Sequence, residues 1–325
     1  MNHYPNQMSR VAVTGGAGFV GTNLVRALLK ENHEVVIIDD FSTGLKTNLK
    51  GLDVELCEIS FVDAEKVSKA LEKREYIFHL GARGSVPRSI KNPRATMDVN
   101  VTGTLNVLES ARATGAAVAF SSSSSVYGSN LVLPKNEKMW MAPLTPYAAS
   151  KLSGEALVAS YSASFGISAV TYRFFNIFGP WQRPDHDYAA VIPRWIWKLM
   201  HNQNIEVFGD GNQSRDFTYI DSVVLVLIQG MNEKVNHPNP INLAFGSRIT
   251  LNECIDELKI KFPKLNVSYV SERAGDVRNS QNDPTLLKSI FPQIEPVKFS
   301  DALENTYQWF VEHGTSIANG PHVTD

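Results

Sequence analysis

Tyr147 and Lys151 are four residues apart, the spacing that puts two side chains on one face of a helix. An ammonium beside a phenol favours the phenolate, so such a pair can act as a general base near neutral pH. A YxxxK pair alone is common as surface helix decoration. Two other stretches give it meaning. Val13-Thr14-Gly15-Gly16-Ala17-Gly18-Phe19-Val20-Gly21 can hold a dinucleotide, and Ser121-Ser122-Ser123-Ser124-Ser125-Val126-Tyr127-Gly128 can place a hydroxyl between a substrate and Tyr147. The combination points to a redox enzyme.

The elements that must position these groups are visible in the pattern. Arg10–Thr14 is a short β-branched strand, and Phe19, Leu24, Leu28 and Leu29 mark an amphipathic helix behind it. Glycines 15, 18 and 21 therefore sit at a strand-to-helix turn with GxxGxxG spacing. They permit the tight turn, close approach of a pyrophosphate to backbone N–H groups, and helix-on-sheet packing. The helix N-terminus faces the anion with its partial positive charge. Glu34-Val-Val-Ile-Ile-Asp39 is a second buried strand ending in a carboxylate. Asp39 can accept both hydroxyls of an adenosine ribose and would repel a 2′-phosphate, which selects NAD over NADP.

Composition describes a soluble enzyme with 325 residues, 43% hydrophobic and 20% charged, enough for one large core or two unequal ones. A formal net charge of −2 offers no general attraction for nucleic acid. Cys57 and Cys254 have neither metal-ligand nor CxxC spacing, so they read as reduced thiols of a cytoplasmic protein, and no metal is expected. Met1 to Ser9 is polar and lacks an apolar signal core, and the longest apolar run, Val223–Ile228, is too short to cross a bilayer.

Strand and helix patterns alternate through the first half, which predicts an α/β fold: a Rossmann-like, doubly wound parallel sheet with a smaller α/β substrate-binding lobe. The expected strands are Arg10–Thr14, Glu34–Asp39, Val54–Glu58, Tyr76–Leu80, Ala117–Ser121 and Ala169–Phe174, and the expected helices include Gly18–Lys30, Thr102–Thr114 and Pro146–Phe165. Residues 1–175 form the NAD-binding domain, to which 216–243 return. Residues 176–325 are expected mainly to form the discontinuous substrate-binding lobe, with a frayed tail from His313 to Asp325.

The motifs carry a resemblance. TGGAGFVG, the Asp39 strand end, His79-Leu-Gly-Ala82, Asn100-Val-Thr-Gly-Thr-Leu-Asn106, SSSSVYG, Tyr147/Lys151, Arg173-Phe-Phe-Asn176, Gly209-Asp-Gly211, Arg215-Asp-Phe-Thr218 and Arg273-Ala-Gly-Asp276 occur in this order. The chain thus resembles the extended short-chain dehydrogenase/reductases, specifically the nucleotide-sugar epimerases and dehydratases, from about Arg10 to Phe310. The resemblance implies catalysis by Ser123, Tyr147 and Lys151. It implies NAD against Gly15, Gly18, Phe19, Val20, Asp39, Ser42, Gly44, Glu58, Ile59, Leu80, Ala82, Asn100, Ser121, Tyr147 and Lys151. The UDP-sugar would meet Ser85, Arg88, Ser123, Ser124, Asn176, Val191, Phe208, Arg215, Arg273, Asp276 and Ser280. Within this set Asn176, Arg215 and Arg273 would bind the diphosphate, Val191 and Phe208 would bracket the uracil, and Asp276 would accept from its ribose.

The resemblance also bears on the reaction. The 4,6-dehydratases carry Asp-Glu directly after the catalytic serine, and UDP-glucuronate decarboxylases carry Glu at the second position; here these residues are Ser124 and Ser125. What is left is reversible oxidation at C4, with Tyr147 taking the 4-hydroxyl proton, hydride passing to NAD, and the 4-keto sugar turning over before hydride returns. Ser85-Val-Pro-Arg-Ser89, Tyr188-Ala-Ala-Val-Ile-Pro-Arg-Trp195 and Gly275–Ser280 resemble bacterial UDP-N-acetylglucosamine 4-epimerases. Ser280 stands where epimerases limited to UDP-glucose and UDP-galactose carry Tyr, and so leaves room for an N-acetyl group. Three departures are Glu58 for the usual Asp at the adenine amino group, Cys57 for the Gly before it, and Arg83 in the loop before Ser85. A 5,6-dehydratase, a UDP-uronate 4-epimerase using Arg88 or Arg194, and a non-catalytic NAD-binding regulator remain alternatives. Family members generally pair as homodimers through the helices at Thr102–Thr114 and Pro146–Phe165, in a four-helix bundle.

Overall fold

The computed structural model describes residues 8–185, 189–272 and 278–317. In the first half β1 (Arg10–Thr14), α1 (Phe19–Lys30), β2 (Glu34–Ile38), β3 (Glu55–Cys57), α2 (Ala64–Leu71), β4 (Tyr76–His79), α3 (Val86–Lys91), α4 (Pro93–Met97), α5 (Gly103–Thr114), β5 (Ala117–Ser123), α6 (Pro146–Phe165) and β6 (Ala169–Phe174) follow in order. The second half holds β7 (Ile177–Phe178), α7 (Val191–Met200), β8 (Ile205–Phe208), β9 (Ser214–Arg215), β10 (Thr218–Tyr219), α8 (Ile220–Asn232), β11 (Ile241–Leu243), β12 (Ile249–Thr250), α9 (Leu251–Lys261), β13 (Val267–Val270), α10 (Thr285–Ile290) and α11 (Phe299–Ile317).

The central sheet has seven strands in the order β11-β6-β5-β4-β1-β2-β3, and every pairing is parallel. The order reverses at β1, which places the crevice for a ligand beyond the carboxyl ends of β1 and β4. Both faces are covered, as a parallel sheet requires. Val11 and Val13 of β1 point to the side of α1 and α8, meeting Leu24, Leu28, Val223 and Leu227. Ala12 between them points to the side of α2, α5 and α6, with Val67, Val107 and Val158. The first core continues without a break into the later elements, through Trp195, Ile205, Val207, Ile255 and Phe310.

Local chemistry sets the helix bearing Tyr147 and Lys151. Thr145 caps it by accepting from Ala148 N, Pro146 occupies its first turn, and Gly166 ends it in the left-handed region at φ 70°. The strand expected to stop at Ser121 continues to Ser123, because β5 stays paired with β6 as far as Ser123–Phe174. Of the tail expected to fray from His313 to Asp325, residues 313–317 instead continue α11, and 318–325 lie outside the described residues. His313 stacks on Trp309, with ring centroids 5.2 Å apart, and its Nδ1 lies 3.1 Å from the Trp309 carbonyl.

Two buried polar knots join the elements. Glu155 of α6 takes both Nε and Nη2 of Arg173 from β6, at 2.8 and 2.7 Å. Asp216 is fully buried and accepts from Gly246 N, Ser247 N, Ser247 Oγ and Asn282 N at 2.9–3.1 Å, binding three loops of the second half together. Burial pushes its carboxyl up to about 6, against the pull of these donors.

The glycine turn is closely packed backbone on backbone. Gly15 has φ 70°, and a Cβ there would lie 2.7 Å from Gly81 Cα; one on Gly21 would lie 2.1 Å from the Gly15 carbonyl oxygen. Gly21→Ala is therefore expected to lower stability by about 2–4 kcal/mol through overpacking against rigid backbone. Urea unfolding monitored by tryptophan fluorescence checks this, and an unchanged midpoint would mean that the turn yields freely.

Candidate active site

The turn after β1 brings several of the residues expected to hold NAD around one backbone group. Asp39 is buried at the end of β2 and accepts from Ala17 N at 3.0 Å and Phe41 N at 2.9 Å. Burial raises its carboxyl above the usual range, with those two N–H groups opposing. Leu45 N and Asn48 Nδ2 both donate to the Ala17 carbonyl, at 3.2 and 2.9 Å, and Gly44 packs on Ala17 so closely that a Cβ would meet the Ala17 Cβ at 2.9 Å. Gly18 is the N-cap of α1 and offers no side-chain cap, which leaves the first-turn N–H groups of Phe19 and Val20 for an outside acceptor. A backbone cradle that a Cβ would fill, an uncapped helix start and a buried carboxylate fit a dinucleotide.

Glu58, expected to meet the adenine amino group, directly follows β3. Its exposed carboxylate pairs with Lys46 Nζ at 2.6 Å, and that ammonium also lies 4.9 Å from the centre of the Phe41 ring. Ser42 N donates to Asp40 Oδ1 at 3.0 Å on the same rim, and Ile59 N donates to the Cys57 carbonyl at 3.1 Å. Leu80 and Ala82 flank Gly81, whose backbone touches Gly15.

The proton-transfer residues converge where β5 ends. Tyr147, near the start of α6, hydrogen-bonds Ser123. Lys151, one turn on, is buried and donates from Nζ to the Ser121 carbonyl at 2.7 Å. Asn100, in a π-helical turn over Asp98–Thr102, donates to Ser150 Oγ at 2.9 Å and accepts from Arg83 N at 2.7 Å. It thereby joins the loop carrying Ser85 to α6.

The electrostatics correct one expectation. In the protein alone burial outweighs any neighbouring charge at the Tyr147 phenol. Burial raises that phenol above its ordinary value, with the Ser123 hydrogen bond acting the other way. Burial pulls the Lys151 ammonium down to about 8, opposed by Glu155. One of its three N–H donors goes to the Ser121 carbonyl, which leaves two for a ligand. His79, between Thr14 Oγ1 at 2.7 Å and Thr104 Oγ1 at 3.0 Å, is held neutral, its value taken to about 3 by burial and by Lys151.

Across the cleft, Val191, Phe208 and Arg215 line one pocket together with Ala189, Arg194, Trp195, Lys198, Glu206, Gln213 and Leu251. Trp195, Gln213 and Leu251 were not legible as pocket residues, since nothing in the sequence pairs α7 with β8 and β12. Arg194 faces Glu206 at 4.0 Å, beside Lys198 at 3.2 Å, so it belongs to this pocket's charge balance. Asn176, at φ 29°, donates from Nδ2 to Ser280 Oγ and to the Asp216 carbonyl, both at 3.3 Å. Ser85 caps α3 at φ 106°, a strained conformation for a residue with a side chain, and accepts from Arg88 N at 3.4 Å. Ser124 opens a tight turn through Tyr127. Arg273 and Asp276 lie outside the described residues. Glu155, Arg173 and Asp216 were not assigned roles by sequence reasoning. The one signal for Glu155 is its place four residues beyond Lys151.

Residues 11–244 match the model of the NAD dependent epimerase/dehydratase family. The UDP-glucose 4-epimerase of Mycolicibacterium smegmatis is 32% identical over 93% of this chain and 98% of its own length. A solved structure of UDP-N-acetylglucosamine 4-epimerase from Methanobrevibacter ruminantium M1, in complex with UDP-N-acetylmuramic acid, is 34% identical with a TM-score of 0.89, covering 94% of this chain and 99% of that one. UDP-glucuronic acid 4-epimerase from Bacillus cereus, in complex with UDP-glucuronic acid and NAD, is 29% identical with a TM-score of 0.85, covering 93% and 99%. Its turn chemistry, sheet order and these likenesses agree: the chain belongs to the NAD-dependent epimerase/dehydratase family, whose members act on UDP-sugars and related nucleotide sugars.

Proposed function

We propose that the protein interconverts UDP-hexoses epimeric at C4, with UDP-N-acetylglucosamine and UDP-N-acetylgalactosamine as its substrate pair. The observation that carries this is the makeup of the site at the end of β5. Tyr147, Ser123 and Lys151 converge there, and Ser124 and Ser125 stand where an elimination or decarboxylation would need carboxylates. One proton-transfer group suffices for oxidation and reduction at a single carbinol carbon. It does not suffice for loss of water from neighbouring carbons.

Bound NAD supplies the hydride acceptor and, once the sugar has turned, the hydride donor. Gly15, Gly18 and Asp39 hold it, with the first turn of α1 toward its diphosphate. Tyr147 takes the 4-hydroxyl proton and later returns it, Ser123 hydrogen-bonds the same oxygen, and Lys151 supplies positive charge behind the phenol. Val191, Phe208 and Arg215 anchor the nucleotide. The sugar alone is then free to rotate.

Support for an N-acetylated sugar comes from Ser280, whose hydroxyl meets Asn176 and whose size leaves space, and from the 34% identical epimerase with its N-acetylated ligand. A UDP-uronate gains less from Arg194, which already faces Glu206. The test is product analysis of UDP-N-acetylglucosamine by proton NMR and mass spectrometry. An isobaric UDP-N-acetylgalactosamine supports the reading, a product lighter by one water selects a dehydratase, and conversion of UDP-glucuronate alone selects the uronate.

Tyr147→Phe is expected to cut turnover by at least about a hundredfold while sparing the fold and NAD affinity; near-normal turnover would remove Tyr147 from the base role. For Ser280→Tyr, activity on the N-acetylated sugar should drop at least about tenfold with UDP-glucose activity kept, since a bulky side chain excludes more strongly than a gap selects. Equal losses on both sugars would reject the gatekeeper. Asp39→Ala should weaken NAD by about tenfold or more in a fluorescence titration, and unchanged affinity would mean that the ribose is held elsewhere.

A further inference from the structure

The last three residues of β5 each meet a different turn of α6. Ser123 hydrogen-bonds Tyr147, the Ser121 carbonyl accepts from Lys151 Nζ at 2.7 Å, and Ser122 Oγ donates to Glu155 Oε1 at 2.5 Å. Tyr147, Lys151 and Glu155 are four residues apart in turn, so they form one stripe along the helix. Only the third rung is reinforced by charge. Arg173 grips both oxygens of Glu155, at 2.8 and 2.7 Å, and its Nη1 donates to Tyr127 Oη at 2.9 Å. Tyr127 in turn donates to Asn242 Oδ1 of β11 at 2.8 Å. Ser121, Ser122, Lys151, Glu155, Arg173, Tyr127 and Asn242 are buried, and Ser123 and Tyr147 are half-buried.

We propose that Glu155, clasped by Arg173 and Ser122, is a positioning residue that holds α6 in register with the end of β5, so that Tyr147 meets Ser123 and Lys151 meets Ser121. The inference rests on the reading of Tyr147, Ser123 and Lys151 as the proton-transfer group. Its physical basis is the geometry of a two-pronged ion pair. One hydrogen bond leaves a helix free to slide and roll on a sheet, whereas a bidentate guanidinium–carboxylate pair sets both distance and angle. A buried ion pair is a poor source of net stability compared with apolar packing. A job in alignment accounts for its presence beside the site.

The clamp also sets the charge around Lys151. The titratable groups packed about that ammonium are Tyr147 and Glu155 on its own helix, the neutral His79 of β4, and Arg173 of β6 behind Glu155. Neutralising Glu155 would leave Lys151 and Arg173 as two cations without their shared partner. Lys151 would then lose its proton at lower pH.

The test compares Glu155→Gln and Ser122→Ala with the unaltered protein, supplied with NAD, following turnover of UDP-N-acetylglucosamine from about pH 6 to about pH 10. A second readout needs no sugar. It is the phenol titration of Tyr147, taken as the ultraviolet difference between each protein and the same protein carrying Tyr147→Phe. Glu155→Gln is expected to lower kcat by about ten- to a hundredfold with KM little changed, and to move the alkaline limb down by roughly one pH unit. Ser122→Ala keeps the charge pair, so it should lower kcat by about three- to tenfold, shift the Tyr147 titration and leave the alkaline limb in place. A lower melting temperature with kcat, alkaline limb and phenol titration all unchanged would overturn the proposal and leave Glu155 as a structural residue. If Glu155→Gln does not fold, Ser122→Ala decides: unchanged kcat and an unchanged phenol titration overturn it, and the shifts above support it. Retained activity in Tyr147→Phe would instead strike the reading of the base itself, which keeps the two failures apart.

Discussion

The seating of α6 on the carboxyl end of β5 is the contact on which the rest of the site depends. A parallel sheet buries its strands on both faces, so the strand ends are where polar chemistry can be presented to a ligand. Ser121, Ser122 and Ser123 are such an end, still paired with β6 after β4 has stopped opposite Phe120, and capped by a helix whose first two turns carry Tyr147 and Lys151. The phenol and ammonium are held by a neighbouring hydroxyl and a carbonyl, not by each other. In that arrangement burial is the largest influence on the resting phenol and raises it.

The glycine turn meets the same sheet end from the other side. Gly15 touches Gly81 across the gap between β1 and β4, and Asp39 closes the turn by taking the Ala17 and Phe41 N–H groups. The turn therefore keeps its shape through backbone contacts made before any ligand arrives. A pre-shaped turn spends less binding free energy on ordering. The pocket lined by Val191, Phe208 and Arg215 rests on Trp195 and Leu251, which belong to the same core as the sheet.

Much of this was readable from residues. Strands rich in Val and Ile announced themselves by composition, the glycine spacing named the turn, and four-residue spacing put Tyr147 and Lys151 on one face. What escaped were the features that depend on which elements become neighbours. Glu155 and Arg173 lie on successive elements, yet nothing in either stretch says that a carboxylate and a guanidinium will meet in the interior. Asp216 collects donors from segments about thirty and about sixty-six residues away. The pairing of Glu58 with Lys46, on a separate turn, at 2.6 Å was likewise not legible. The length of α11 was missed because its last turns are held by an aromatic stack of Trp309 on His313 and not by an apolar stripe.

The claim that one proton-transfer group works on one carbon is tested most directly with UDP-N-acetylglucosamine carrying deuterium at C4. The account predicts that both epimers recovered at equilibrium keep the mass of the labelled substrate, with the deuterium still at C4. Loss of the label to solvent, or a product lighter by one water, would contradict it.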